Sequence, residues 1–360
     1  MKQASSSDPV RVLVVDDSPV VRKRLTHELG KYDQIQVVGS APDPFVARDE
    51  IARLDPEVLI LDLEMPRMDG LTFLRRLMAH RPMPVVIVSS LTPQGAEMVT
   101  ACMQAGAMSV LCKPNDSYSV AELSRELAQV VINARRVNVG RLAPASRPAV
   151  QRIRPTGSLG KTNKVIAIGS STGGTNALVQ VLKPLPAEMH GILVVQHMPA
   201  QFMTTFAQRL DSECALQVRE ARDGDVLQRG VALLAPGGQH MRIVRHGLEF
   251  KVRIVGGPPV CRHQPSVEVL FESVARTAGD RAMGIMLTGM GADGATGMRA
   301  MHDAGAFNVA QDEETCVVFG MPKEAIAAGG VDEVLPLQKI PARIVDFAVG
   351  EASRSDRIAS

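Results

Sequence analysis

Tryptophan is missing from this 360-residue chain, and tyrosine occurs only as Tyr32 and Tyr118. Any core must therefore be filled by Val, Leu, Ile, Ala and the 18 methionines. The five cysteines (Cys102, Cys112, Cys214, Cys261 and Cys316) are scattered, odd in number and contain no C-x-x-C pair. That argues against a metal knuckle or a disulfide framework, and reduced thiols are expected. No apolar run approaches the roughly 20 residues of a membrane span, and the polar residues 1–9 contain no apolar signal segment. A cytoplasmic chain without membrane insertion is the expectation. Acidic residues are absent from 135–164, where Arg135, Arg136, Arg141, Arg147, Arg152, Arg154, Lys161 and Lys164 stand. These eight outweigh the whole net charge of +2, so the rest of the chain is net acidic. A nucleic-acid binder wants a basic face on a folded domain, and no such partner is expected.

What remains is a globular composition, 45% hydrophobic and 22% charged, in a chain long enough for two domains. Short apolar runs at 10–15, 58–61, 85–88 and 109–111 predict strands. Helical patterns lie between and after them, at 19–29, 45–54, 71–80, 96–105 and 121–134. Ser18 is placed to cap the first helix, with Pro19 at its first position. Strands alternating with helices predict a parallel sheet covered on both faces. The rhythm breaks at 138–163, where Gly140, Pro144, Pro148, Pro155, Gly157 and Gly160 join the basic residues. This reads as a spacer, solvated rather than a binding arm. The domains are then 9–134, a basic Pro/Gly-containing linker at 135–163, and 164–350. The last has strands at 165–168, 192–195, 230–234, 241–245, 248–255 and 282–287, and helices at 176–182, 201–210, 266–277 and 295–304. The strands at 241–245 and 248–255 form a hairpin around His246-Gly247.

In the first domain Asp16-Asp17, Asp62, Ser89 and Lys113 each follow or end a strand. Carboxyl ends of parallel strands share one edge, the usual ligand site of such sheets. Three carboxylates there repel unless a hard cation such as Mg²⁺ sits among them. Asp62 then becomes a nucleophile for a phosphoryl group, whose charge the cation and Lys113 offset. Asp17 alone would be read as a turn or cap residue; the combination points to a phosphoacceptor. Residues 10–133 resemble bacterial response-regulator receiver domains, with a flavodoxin-like sheet. The resemblance implies Asp62 as the phosphorylated residue and Mg²⁺ held by Asp17, Asp62 and the Glu64 carbonyl, with Asp16 acting through water. It implies Ser89 and Lys113 as the switch pair. Many receivers carry an aromatic three residues before the lysine; here that residue is Val110, against an aromatic-rotamer switch.

The second domain opens with Gly169-Ser170-Ser171-Thr172-Gly173 between a strand and a helix, a G-x-S-x-G context that exposes a serine hydroxyl. Alone, the motif reads equally as a phosphate cradle at a helix N-terminus. His197 follows the next strand. Asp293 lies in a Gly-rich loop after the 282–287 strand, where it could instead cap the following helix. A lone histidine is more often structural. His240 and His263 read as loop candidates, and His27, His80, His190, His246 and His302 as surface or helix positions. Ser171, His197 and Asp293 fit nucleophile, base and orienting carboxylate. Their order differs from that of α/β-hydrolases, so a different fold is expected. The Thr172 N–H and the 289–291 turn are candidate oxyanion donors.

The segments Gly-Ser-Ser-Thr-Gly-Gly-Thr, Val-Val-Gln-His-Met-Pro, Ala-Pro-Gly-Gly-Gln-His, Arg-His-Gln-Pro-Ser-Val and Leu-Thr-Gly-Met-Gly-Ala-Asp-Gly resemble the catalytic domain of chemotaxis protein-glutamate methylesterases, the CheB family. The likeness covers 164–349 and departs at Ala292, where Asn is common. It implies a doubly wound α/β domain with Ser171, His197 and Asp293 as the triad, Thr172 beside them and Met290 as an oxyanion donor. It implies hydrolysis of glutamate methyl esters to methanol, and of certain glutamines to ammonia, on chemotaxis receptors, with no cofactor for the esterase step. A chemotaxis histidine kinase would be the phosphodonor, and the receiver would cover the esterase mouth until Asp62 is phosphorylated. A monomer is expected. The rival reading is a phosphorylation-dependent binding module with a catalytically silent second domain.

Overall fold

The computed structural model describes residues 8–89, 93–113, 120–142, 152, 153, 155 and 164–350. Most of the expected linker, 143–163, lies outside them. The chain divides into two compact units, 1–145 and 146–360.

The first unit runs β1 (Val10–Val15), α1 (Pro19–Leu29), β2 (Ile35–Ala41), α2 (Pro44–Leu54), β3 (Val58–Leu61), α3 (Gly70–His80), β4 (Val85–Ser89), α4 (Pro93–Gln104), β5 (Ser109–Cys112), α5 (Val120–Asn133) and a short α6 (Val139–Leu142). Ser18 caps α1, its side chain accepting from the Val21 N–H, and Pro19 occupies the first turn. The strands form one parallel sheet in the order β2-β1-β3-β4-β5. β3 reads Val-Leu-Ile-Leu and is buried throughout, as a strand covered on both faces must be. The sequence reading lacks β2; Gly39 and Ser40 interrupt its apolar run, and its register against β1 shifts between Val12 and Leu13. Arg135, placed at the start of the linker by composition, bonds Glu57 at 3.0 Å and the Pro9 carbonyl at 3.0 Å. Leu142 is buried. Ordered chain thus continues past the final receiver helix.

The second unit runs β6 (Val165–Ser170), α7 (Gly174–Leu182), β7 (Ile192–Gln196), α8 (Ala200–Glu213), β8 (Gln217–Glu220), β9 (Val231–Leu234), β10 (His240–His246), β11 (Glu249–Val255), α9 (Val267–Ala278), β12 (Ala282–Met286), α10 (Ala295–Asp303), β13 (Phe307–Gln311), α11 (Met321–Ala327), β14 (Glu333–Leu335) and α12 (Ile340–Val349). Seven strands form a parallel sheet, β14-β13-β12-β6-β7-β9-β8; β10 and β11 pair separately as an antiparallel hairpin. Alternation along β6 sends Ile166 and Ile168 to one face and Val165 and Ala167 to the other. The first face is covered by α7, α8 and α12. The second is covered by α9, α10, α11 and the hairpin. Methionines fill gaps on the second face (Met241, Met286, Met298, Met301 and Met321), in a unit without tryptophan.

In each sheet one strand sends the chain away in both directions. β1 stands between β2 and β3, and β6 between β12 and β7. These are topological switch points, where loops at the strand carboxyl ends part and leave a crevice.

Candidate active site and phosphoacceptor site

At the first switch point Asp16 and Asp17 follow β1 and Asp62 follows β3. One carboxylate oxygen from each lies within 4.8 Å of the others. Lys113, following β5, places Nζ 2.9 Å from both Asp16 Oδ2 and Asp62 Oδ2. Asp62 Oδ1 accepts the Leu63 N–H at 2.8 Å. Burial pushes the Asp62 carboxyl up to about 6; Lys113 pulls it back and the Asp16 charge adds to the rise. For Lys113 burial works against the charged form, but Asp62 and Asp16 outweigh it and the net shift is upward. One lysine does not neutralise three carboxylates. The donor set, all hard oxygen and partly open at exposed Asp17, fits a divalent cation of the Mg²⁺ kind. Ser89 ends β4 and is fully buried, and Val110 is buried within β5. Glu64 is exposed, two residues beyond Asp62.

At the second switch point Ser171 follows β6, His197 follows β7, and Asp293 lies in the loop after β12. Register pairs Ser170 with Gln196, so Ser171 and His197 are the next residues on adjacent strands. Gln196 fixes them: its Nε2 donates to the Ser171 carbonyl at 3.0 Å and to the His197 carbonyl at 2.9 Å. Its Oε1 accepts from Ser170 Oγ at 2.7 Å. Gly173 turns the chain into α7 with φ +78°, and a Cβ there would lie 2.6 Å from Val317. Glycine is required on both counts. Gly289 is constrained by space alone, since a Cβ would meet Ser171 Cβ at 2.9 Å. That closeness brings the 289–291 turn against the serine.

His197 Nε2 lies 2.8 Å from Asp293 Oδ2. An ionised carboxylate only accepts, so Nε2 carries the proton of this hydrogen bond, and Nδ1 is the ring nitrogen left over. Nδ1 is buried and has no hydrogen-bond partner among the described residues. Ser171 and His197 are thus neighbours in the register of adjacent strands, with no hydrogen bond between the Ser171 hydroxyl and Nδ1.

Asp293 does not cap the helix that follows it. That cap is Gly294. Its carboxylate instead accepts from the Val267 N–H at 2.7 Å and the Glu268 N–H at 3.1 Å, the first turn of α9, and from Ser266 Oγ at 2.7 Å. Burial alone would raise this carboxyl, but the His197 bond and charge, Ser266 and Val267 together hold it below its usual value. A helix N-terminus adds to that preference for negative charge. Glu268 completes the loop by accepting the Gly294 N–H at 3.1 Å. Among the described residues the Thr172 and Met290 N–H groups make no backbone hydrogen bond, whereas the Gly289 N–H is spent on the Val318 carbonyl at 3.1 Å.

Residues 166–344 match the family model described as CheB methylesterase, and residues 12–124 that of the response regulator receiver domain. A protein-glutamate methylesterase/protein-glutamine glutaminase of Syntrophus aciditrophicus is 51% identical over 342 residues, 93% of this chain and 98% of its own. The chain belongs to the CheB methylesterase family. A relative of the same name from Salmonella choleraesuis is 46% identical over 348 residues, spanning 96% of this chain and 99% of its own. The crystal structure of the Thermotoga maritima CheB methylesterase catalytic domain superposes with a TM-score of 0.51 and 36% identity, covering 52% of this chain and 99% of that one. The expected architecture, a receiver followed by a CheB-type α/β domain, is what the chain has.

Several CheB-domain residues differ from the sequence reading. His190, read as a surface or helix position, is buried in the loop before β7. Burial first, then the charge of Arg229, lowers it to about 4. His240, read as a loop residue, opens β10 and is buried, its Nε2 3.0 Å from the Pro258 carbonyl. Gln196, Ser266 and Glu268 go unnoticed in the sequence; Gln196 alone carries a signal there, as a polar residue ending an apolar strand. His263 stacks on His197, ring centroids 3.7 Å apart and planes within 9°. No helix of the described residues is long and apolar enough to cross a membrane.

Proposed function

We propose that this chain hydrolyses glutamate methyl esters, and the amides of certain glutamines, on chemotaxis receptors, with Ser171 as nucleophile, His197 as base and Asp293 as orienting carboxylate. The observation carrying the reading is the His197–Asp293 bond, which leaves a buried Nδ1 without a hydrogen-bond partner on the residue that follows the strand beside Ser171.

Ser171 Oγ attacks the ester carbonyl while His197 Nδ1 takes its proton. The resulting imidazolium keeps its Nε2 proton on Asp293. The same Nδ1 proton then goes to the departing methoxide, releasing methanol, or to the departing amide nitrogen of a glutamine, releasing ammonia. Water, deprotonated by Nδ1, attacks the acyl-serine, and Nδ1 returns that proton to the departing Ser171 Oγ, freeing glutamate and restoring the hydroxyl. The N–H groups of Thr172 and Met290 are the oxyanion donors; each such donor is worth on the order of 10²-fold or more in rate. No cofactor is assigned to these steps.

In the receiver, Asp62 is the phosphoryl acceptor and a chemotaxis histidine kinase the phosphodonor, with Ser89 and Lys113 contacting the phosphoryl group. Asp16, Asp17, Asp62 and the Glu64 carbonyl would hold Mg²⁺, which offsets charge on the transferred group. Phosphorylation of Asp62 then raises the hydrolase rate. Membership in a family whose relatives are named as enzymes speaks against a silent second domain. The test is methanol release from methyl-esterified receptor, with and without a small phosphodonor. Release that rises with the phosphodonor is expected; a rate indifferent to it contradicts the regulatory half, and no release contradicts the enzyme.

A further inference from the structure

The hydrogen bond to Asp293 fixes one point of the His197 ring and leaves its plane to be set by something else. The His263 ring lies against it, face to face at 3.7 Å. His263 comes from an unusual turn. Val260 and His263 pair as the ends of a two-residue hairpin, with N–H to carbonyl distances of 3.1 and 2.9 Å. Both central residues have positive φ, Cys261 at 51° and Arg262 at 70°. Such turns are normally built from Asn and Gly. Neither Cys nor Arg is suited to them, and strain held in place beside reacting groups calls for a functional reason.

We infer that His263 is a positioning residue whose flat, uncharged ring holds the plane of His197, keeping Nε2 on Asp293 and Nδ1 toward Ser171. This rests on the hydrolase reading of the same site. A ring stacked face-on keeps its own nitrogens in its plane, away from those of His197, so His263 is not a second base. Burial first, then the His197 charge, lowers its pKa to about 3; Asp293 opposes that shift and Arg262 adds to it. The ring is therefore neutral at working pH. A neutral π-face also tolerates the imidazolium that forms opposite it during each turnover, and it keeps water from that side of the ring.

The full-length chain with His263→Ala should lose about 10–100-fold in kcat with KM within about twofold, because misplacing a reacting group costs rate and not uniform binding. His263→Phe restores a flat face and should recover kcat to within about threefold of the parent. Imidazole ¹⁵N NMR of His197 supplies a readout independent of turnover: a single Nε2–H tautomer in the parent and in His263→Phe, and a mixture in His263→Ala. A His263→Ala protein with parental kcat and a single tautomer would overturn the inference, as would a folded His263→Phe protein as slow as Ser171→Ala. Should Ser171→Ala itself keep full activity, the hydrolase reading has failed, and the tautomer comparison alone decides the role of His263. Should His263→Ala fail to fold, His263→Phe decides it.

Discussion

Asp293 Oδ2 accepts from His197 Nε2 at 2.8 Å and from the Val267 N–H at 2.7 Å, so one carboxylate joins the His197 ring to the start of α9. Asp293→Asn puts an amide where both neighbours donate. Either the amide NH₂ faces a donor, or His197 turns over and presents a proton to Ser171. Methanol release should fall about 10³–10⁴-fold, the size of effect that a wrong tautomer produces in a triad. Urea unfolding should show a loss of about 1–3 kcal/mol from the mispaired buried groups. An Asn variant with near-parental turnover would remove the orienting role.

Gln196 is buried and holds three groups, the carbonyls of Ser171 and His197 and the Ser170 hydroxyl. Gln196→Leu strands all three, and unfolding free energy should drop by about 1–3 kcal/mol. The structural cost should come with slower turnover, because the amide fixes the spacing of Ser171 and His197. Chemical denaturation and steady-state kinetics on the same preparation check both.

His190 governs part of the acid sensitivity. Its folded-state pKa, about 4, lies below the unfolded value near 6.5. Between those values the unfolded chain binds more protons than the folded one. The contribution to stability is therefore complete above pH 6.5 and is lost as pH falls toward 4. In His190→Leu the difference between urea midpoints at pH 7.5 and pH 5 should shrink. An undiminished difference would place the acid sensitivity elsewhere.

Asp62→Asn should abolish phosphorylation by a small phosphodonor, read by intact mass, and chelating divalent cations should abolish it in the parent. Lys113→Ala should slow it while leaving methanol release without phosphodonor intact. Phosphorylation that persists in Asp62→Asn would move the acceptor to another side chain.

Both sheets were legible where strands are short apolar runs buried on both faces, as in Val58–Leu61 and Val165–Ser170. The strand Phe307–Gln311 was not, because Asn308 and Gln311 make it look polar. In the fold they are fully buried and bonded, Asn308 to the Met298 and Gly330 carbonyls and Gln311 to the Thr288 N–H. Gln217–Glu220 and Glu333–Leu335 are short edge strands with little apolar pattern to read. At the site, the residues at strand ends were visible because parallel sheets align such ends. The cap that Asp293 supplies to a distant helix and the His197–His263 stack were not. Both are made by loop residues to segments distant in sequence, and local periodicity carries no trace of them.

The central claim is that Ser171 is a nucleophile made reactive by His197. Treating the full-length protein with a phosphonylating probe and mapping the adduct by peptide mass tests it most directly. The account predicts a single adduct on Ser171 that His197→Gln reduces by at least about 10²-fold in rate. No adduct on Ser171, or labelling that proceeds at the parental rate without the histidine, would contradict it.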